Sequence, residues 1–214
     1  MKTVKGYRKL IKHYNIQGQG HYLTFSCHQN EAYLSKDRTR NWFIESLHQA
    51  REKHKFELWG WVTMPNHVHL LILPQHDSKI YEILNSIKQP VARKANNWLR
   101  KQTCSSGLEH ATRPGDHIIR FWQRGTGYDR NIYSVEEIYE TLNYLHHNPV
   151  RGGLAKLPNE WRWSSCRAYE FGIDEPLDVN RDSLPPMTSS LKKAIYTRCV
   201  LVQGKSCQMI SGTV

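Results

Sequence analysis

The pattern of apolar and polar positions switches along the chain between a period of two residues, typical of strands, and a period near 3.6, typical of helices. Apolar or alternating runs bounded by turn residues predict strands at 21–28, 56–64, 67–73 and 117–123. The middle two runs flank the turn-forming pair Pro65 and Asn66. They therefore predict an antiparallel hairpin.

Apolar side chains at helical spacing predict three amphipathic helices, at 35–53, 79–101 and 134–148. Pro90 is expected to kink or divide the second helix. Ser134 and Glu137 form the Ser-x-x-Glu pattern of a capping box at the start of the third helix, and Pro149 is expected to end it at Asn148. Strands and helices in this order predict an α+β fold.

The length and composition predict one domain with an extension at each end. We expect a basic N-terminal arm at 1–20, a single domain at 21–171, and a linker and tail of unknown role at 172–214, where Pro, Ser and Asp become frequent. The long segment 103–116 is expected to be a loop, because Ser, Gly and Pro are frequent in it.

The charge balance favours a polyanionic partner. Lys and Arg number 30 against 19 Asp and Glu, a formal net charge of +11. Such an excess is typical of nucleic-acid binding and exceeds what solubility requires. The five cysteines are odd in number and include no C-x-x-C pair, which indicates a reducing cytoplasm and neither a disulfide framework nor a zinc ribbon. No apolar run approaches the length of a membrane span.

Two histidines stand out within the second strand of the hairpin. Side chains alternate faces along a strand, so His67 and His69 point to one face while Val68 and Leu70 point to the other, into a core. Two imidazoles on one face can share a metal ion, although an isolated His-x-His is more often structural.

A second cluster lies near the end of the third helix. At 100° per residue, Tyr144 and Asn148 fall on one flank of the buried stripe formed by Ile138, Leu142 and Leu145. A nucleophile and a polar ligand then lie one helical turn apart. Tyr128, in a predicted loop, is the competing tyrosine.

Five segments in this order resemble the HUH endonucleases (histidine, hydrophobic residue, histidine), and most closely the REP-associated tyrosine transposases. The segments are M-P-N-H-V-H-L-L at 64–71, F-W-Q-R-G at 121–125, Y-D-R-N-I at 128–132, Y-L-H-H-N-P-V-R-G-G-L at 144–154 and W-R-W-S-S at 161–165. The resemblance covers roughly residues 21 to 169.

The resemblance implies a ferredoxin-like or RRM-like α+β fold, an antiparallel sheet with helices packed on one face. It also implies the cutting and rejoining of single-stranded DNA. His67 and His69 match the metal-binding pair and Tyr144 matches the nucleophile. Asn148 falls where relatives place a third polar ligand, a position at which the insertion-sequence branch commonly carries Gln. The implied cofactor is a divalent ion, Mg²⁺ or Mn²⁺. The implied chemistry passes through a 5′-phosphotyrosine.

The implied partner is single-stranded hairpin DNA of the REP type, with no membrane and no small-molecule substrate, bound by a monomer or a homodimer. Basic residues are expected to hold the stem phosphates. The candidates are Arg8, Lys9, Lys12, Lys88, Arg93, Lys94 and Arg124. Two alternatives remain open: a hairpin-binding protein without catalysis, and a rolling-circle initiator or relaxase with the same site chemistry.

Overall fold

A computed structural model of the protein describes residues 16, 18–75, 78–105 and 119–187. The strands are β1 (Gly20–Ser26), β2 (Glu57–Thr63), β3 (His67–Leu73) and β4 (Tyr128–Ile132). The α-helices are α1 (Asp37–His54), α2 (Ile80–Ser105), α3 (Val135–Arg151) and the short α4 (Cys166–Phe171), and single 3₁₀ turns lie at 28–30, 158–160 and 181–183.

The four strands form one antiparallel sheet in the order β2-β3-β1-β4. The predicted hairpin is confirmed as β2 and β3. The predicted strand at 117–123 is wrong for its described part: Trp122 makes only an isolated bridge to Cys27. The edge strand is instead β4, whose sequence Y-D-R-N-I is mostly polar and so lacks an apolar alternation. Phe121 and Trp122 are buried as a loop packed on the core.

The α+β class is confirmed, but helices cover both faces of the sheet. α1 and α2 pack on the face that carries Phe25, Val68 and Leu70, where the larger core lies. α3 packs on the opposite face, against β2 and β3, through the predicted stripe of Ile138, Leu142 and Leu145. β2 and β3 are apolar on both faces, so each face needs a cover. The prediction of helices on one face alone missed this second layer.

The helix boundaries follow the sequence pattern with two differences. Ser134 caps α3 as predicted, its side chain accepting the backbone N–H of Glu137. α2 continues past Pro90 without a break, and α3 continues past Pro149 to Arg151. No helix in the described part of the chain is both long enough and apolar enough to cross a membrane.

The start of the predicted C-terminal linker packs against the domain. Asn180 exchanges two hydrogen bonds with the backbone of Leu58, at 2.8 and 2.9 Å, and so covers the open edge of β2. Leu177 and Val179 are buried in the larger core, and Asp178 pairs with Arg51 at 2.8 Å. Residues 172–187 therefore do not behave as a linker, because their apolar side chains complete the core. Residues 1–15 and 188–214, which hold most of the predicted arm and tail, lie outside the described residues.

A buried histidine joins α3 to β2. The hydroxyl of Ser165 accepts from the backbone N–H of Trp61 at 3.0 Å and donates to its carbonyl at 3.2 Å, so it accepts from Nε2 of His146 at 2.9 Å. Burial, with a smaller contribution from His147, lowers the pKa of His146 from 6.5 to about 3. The folded protein therefore holds His146 neutral.

We predict that acid destabilises the protein through His146. Below pH 6.5 the unfolded chain binds a proton at this residue and the folded chain does not, so the free energy of unfolding falls as the pH falls. From pH 7.5 to pH 5 the loss from this residue is about 2 kcal/mol. His146→Gln retains an N–H at the position of Nε2 and removes the titration. Urea denaturation at both pH values should show a smaller acid loss in the variant, and an equal loss would contradict the assignment.

Candidate active site

His67 and His69 lie side by side on the face of β3 that α3 partly covers. Their ring centroids are 4.8 Å apart and the rings are nearly perpendicular. Val68 and Leu70 point to the opposite face and are buried in the larger core. The predicted division of the strand into a histidine face and a core face is confirmed by this geometry.

Hydrogen bonds engage the Nδ1 atom of each imidazole. Nδ1 of His67 lies 2.6 Å from the Asn66 side-chain oxygen, which can only accept, so Nδ1 carries the proton. Nδ1 of His69 lies 2.7 Å from the hydroxyl of Tyr22 and 2.8 Å from that of Thr24. The tautomer with Nδ1–H leaves the Nε2 lone pair of each ring available to an external ligand.

The second nitrogen of His69 is buried without a partner. Nε2 of His69 has no hydrogen-bond partner within the described residues, an arrangement that costs free energy unless a ligand satisfies it. Burial lowers the pKa of His67, and burial with the neighbouring His67 lowers the pKa of His69 to about 3. Both rings are therefore neutral near pH 7, which is the form that ligates metals.

These donors fit a divalent cation held by two imidazoles and further oxygen ligands. The described residues contain no group of three or more His, Cys, Asp or Glu side chains placed to hold a metal. Any third protein ligand from the described residues would therefore be a residue other than His, Cys, Asp or Glu. The predicted third ligand, the amide side chain of Asn148, is of this kind.

Tyr144 projects from α3 to the histidine pair. Its ring centroid lies 6.2 Å from that of His69 and 6.2 Å from that of Tyr22, and both contacts are edge-on. Tyr144 is 44% exposed, whereas Tyr22 is 8% exposed and burial raises its pKa to about 12. Of these two tyrosines, only Tyr144 is exposed to a large substrate.

Tyr128, the competing tyrosine, lies at the start of β4. It contacts Tyr22 at 6.2 Å between ring centroids, but the described aromatic contacts of His69 are to Tyr22, His67 and Tyr144. Of Tyr128 and Tyr144, Tyr144 is therefore the one that contacts the histidine pair directly. Asp129, the carboxylate next to Tyr128 in sequence, is bonded to a residue outside the histidine pair. Its side chain lies 2.8 Å from Nδ1 of His21, and both side chains are buried.

Asn148 lies one turn beyond Tyr144, and its amide nitrogen is engaged by its own helix. Nδ2 donates to the carbonyl oxygens of Tyr144 at 2.9 Å and Leu145 at 3.3 Å. The Leu145 carbonyl would normally accept the backbone N–H of residue 149, which proline lacks. The Asn148 side chain replaces that missing donor, and this explains why α3 does not end where Pro149 predicted. The amide oxygen, the atom a cation would bind, is not used in these bonds.

Arg151 is a site residue that the sequence analysis missed. Its guanidinium carbon lies 4.4 Å from the centroid of the Tyr144 ring. Seven residues make almost two helical turns, so positions 144 and 151 share one face to within about 20°. This seven-residue spacing can be read from the sequence, but a helix predicted to end at Asn148 does not include Arg151.

The predicted DNA-binding residues are dispersed. Arg93 and Lys94 lie on α2, in the layer across the sheet from Tyr144, and Lys94 pairs with Glu45 of α1 at 2.5 Å. Lys88 donates to the carbonyl oxygen of Gly125 at 2.7 Å, so it supports the loop before β4. Arg124 is exposed on that loop, beside a cavity of about 210 Å³ that Thr24 and Tyr128 also line. Arg8, Lys9 and Lys12 lie outside the described residues.

Comparison with known proteins finds a family that resembles part of the chain. The family model described as "Transposase IS200 like" matches residues 18–110, from β1 through α2, a segment that includes the histidine pair but not Tyr144. The matched segment holds three of the four strands and the two helices of the first layer.

Individual relatives extend the match toward the C-terminus. A protein of Haemophilus influenzae is 23% identical over 138 residues, 61% of this chain and 74% of that protein. The REP-associated tyrosine transposase of Escherichia coli is 21% identical over 155 residues, 72% of this chain and 80% of that protein. A solved structure of a REP-associated tyrosine transposase bound to a REP hairpin superposes with a TM-score of 0.56 at 20% identity, over 83% of this chain and 96% of that one. The resemblance to the REP-associated tyrosine transposases is confirmed.

We predict that the Asn148 side chain stabilises α3 because Pro149 leaves the Leu145 carbonyl without its usual donor. Asn148→Ala should lower the free energy of unfolding by about 1 kcal/mol, measured by urea denaturation. Pro149→Ala restores the backbone N–H, so Asn148→Ala should cost less in that background. If Asn148→Ala lowers the free energy of unfolding equally in the wild type and in Pro149→Ala, the Asn148 side chain does not replace the missing backbone N–H of residue 149.

Proposed function

We propose that the protein is a metal-dependent tyrosine transposase that binds hairpin-containing single-stranded DNA of the REP type, and cleaves and rejoins it through a 5′-phosphotyrosine. The observation that carries the proposal is the placement of an exposed Tyr144 against His69, beside a histidine pair with an unpartnered Nε2. The histidine pair lies on β3 and Tyr144 on α3, and they meet on one face of the sheet.

The relatives support the choice of substrate. The family model is a transposase model, and a relative of similar fold is seen with a REP hairpin. The net charge of +11 suits a polyanion of this kind. Arg124, exposed beside Tyr128 and near Thr24, is the described candidate for a contact close to the site. Arg93 lies on the far layer, so it would serve only a DNA path that wraps the α1 and α2 side.

The proposed reaction is a transesterification at phosphorus. The Tyr144 oxygen attacks the scissile phosphate, its bond to phosphorus forms while the bond from phosphorus to the 3′ oxygen breaks, and the phenol proton passes to solvent. The 3′ oxygen takes up a proton and leaves as a 3′-OH. The phosphotyrosine keeps the phosphodiester bond energy, so a later 3′-OH can displace Tyr144 and rejoin the strand without ATP.

His67 and His69 would hold the cofactor through their Nε2 atoms, with the Asn148 side-chain oxygen proposed as the third ligand. A bound Mg²⁺ or Mn²⁺ supplies polarisation of the phosphate and offsets its developing charge. Tyr22 and Thr24 would keep the His69 ring in the orientation that presents Nε2.

One prediction from the proposed function concerns the nucleophile. Tyr144→Phe should bind hairpin DNA with unchanged affinity and form no protein–DNA adduct that survives denaturation, because only the attacking oxygen is removed. The probe is a labelled single-stranded hairpin chosen from a hairpin library by adduct formation with the wild-type protein in Mg²⁺ or Mn²⁺.

The matched control is Tyr133→Phe, a change at an exposed tyrosine that precedes α3. It should leave the adduct intact. Cleavage without any adduct would make water the nucleophile, and tight binding with neither adduct nor cleavage would favour a hairpin-binding protein without catalysis.

A further prediction from the proposed function concerns the metal. His67→Ala should abolish metal-dependent cleavage and weaken Mn²⁺ binding, measured by calorimetry on the DNA-free protein, while the melting temperature in chelator stays near that of the wild type. Because His67 is only partly buried, its removal leaves a small cavity. Unchanged Mn²⁺ affinity in the variant would remove His67 from the metal site.

A further inference from the structure

Arg151 is the positively charged side chain that contacts the ring of Tyr144, the proposed nucleophile. Its guanidinium carbon lies over the Tyr144 ring, 4.4 Å from the ring centroid, two helical turns further along α3. A guanidinium that contacts a ring through its face leaves its in-plane N–H donors for other partners. Those donors suit the non-bridging oxygens of a phosphate.

A second arginine near the site differs from Arg151 in its partners. Arg130 lies 6.0 Å from the centroid of the Tyr22 ring, but it donates to the Thr141 hydroxyl at 3.1 Å and faces Glu137 at 3.9 Å. Among the described residues no carboxylate lies within ion-pair distance of Arg151, which is exposed. The charge of Arg151 is therefore available to a substrate, whereas the charge of Arg130 is partly neutralised by Glu137.

The position of Arg151 depends on the unusual end of α3. The helix passes Pro149 because the Asn148 side chain bonds the carbonyl oxygens of Tyr144 and Leu145. It ends at Gly152, whose backbone N–H bonds the Asn148 carbonyl at 2.8 Å. A cation in the last turn is favoured by the helix dipole, but that effect needs only a positive charge and does not require contact with Tyr144.

We propose that Arg151 binds the scissile phosphate beside the Tyr144 hydroxyl and stabilises the charge that develops on its non-bridging oxygens during the attack. This inference rests on the proposed function, since it assigns a further residue to the same reaction. The bonds made and broken are those of the transesterification given above, and Arg151 neither gives nor takes a proton.

The test compares single-turnover rates of adduct formation on the selected hairpin for the wild type, Arg151→Ala and Arg151→Lys. Loss of one preorganised charge at the reacting phosphate should slow adduct formation by about 100-fold in Arg151→Ala. Arg151→Lys should recover part of the rate, because the charge remains but the planar fork is lost. The matched control is Arg38→Ala, which removes a guanidinium stacked on Trp98 at 4.1 Å in the opposite layer and should change the rate little.

A binding measurement separates phosphate contact from helix stabilisation. In the Tyr144→Phe background, which keeps the ring and cannot react, hairpin affinity is measured with a normal phosphate or a neutral methylphosphonate at the cleavage position. Arg151→Ala should weaken binding of the normal hairpin by about 10-fold and leave binding of the methylphosphonate hairpin nearly unchanged.

Equal weakening with both hairpins would show a structural role and overturn the inference, as would an unchanged adduct rate in Arg151→Ala. If Arg151→Ala does not fold, the adduct-formation rate and the two hairpin affinities are measured with Arg151→Lys instead. A wild-type protein that binds hairpins and forms no adduct would overturn the proposed function and this inference together. A wild-type adduct with no dependence on Arg151 would overturn the inference alone.

Discussion

The pairing of β1 with β3 sets Thr24 opposite His69, and the rest of the site depends on this register. It brings the hydroxyls of Tyr22 and Thr24 to Nδ1 of His69 at 2.7 and 2.8 Å. A slip of one residue would turn both histidines toward the larger core and Val68 toward the site. The register is held by the core face, where Leu23, Phe25, Val68 and Leu70 are almost fully buried. The free energy of apolar burial therefore fixes the orientation of a polar site on the reverse face of the same strands.

The second face of the sheet is shared between packing and chemistry. Leu142 and Leu145 of α3 cover β2 and β3, with Gly60 so close that a Cβ there would meet a Leu142 methyl carbon at 2.6 Å. Tyr144 lies beside this contact on the flank of the helix and remains exposed. The helix that closes the second core thereby also carries the tyrosine to the histidine pair, so a shift of α3 on the sheet would separate Tyr144 from His69.

The local elements and the histidine face could be predicted because they depend on period and burial within short segments. The alternation around His67 and His69 and the cap at Ser134 are of this kind. β4 could not be predicted, because its central residues, Asp129 to Asn131, are all polar and so give no apolar period. The second helical layer was missed because apolar residues on both faces of β2 and β3 indicate burial without saying what covers each face.

The end of α3, and with it the contact of Arg151 with Tyr144, could not be predicted for a different reason. Proline usually ends a helix, but at Pro149 the Asn148 side chain replaces the missing backbone donor. Arg151 therefore fell outside the predicted helix and away from Tyr144. The basic residues of α2 show the limit of arguing from charge alone, since Lys88 and Lys94 bond the protein itself. A single sequence gives the number of cations but not which of them have partners in the fold.

The claim on which the account rests is that the tyrosine of α3 beside the histidine pair becomes covalently joined to DNA. The most direct measurement is mass-spectrometric mapping of the nucleotide-modified peptide after digestion of the wild-type adduct. The account predicts that a 5′-phosphoryl nucleotide is attached to Tyr144. Attachment to Tyr128, or to any other residue, would contradict it.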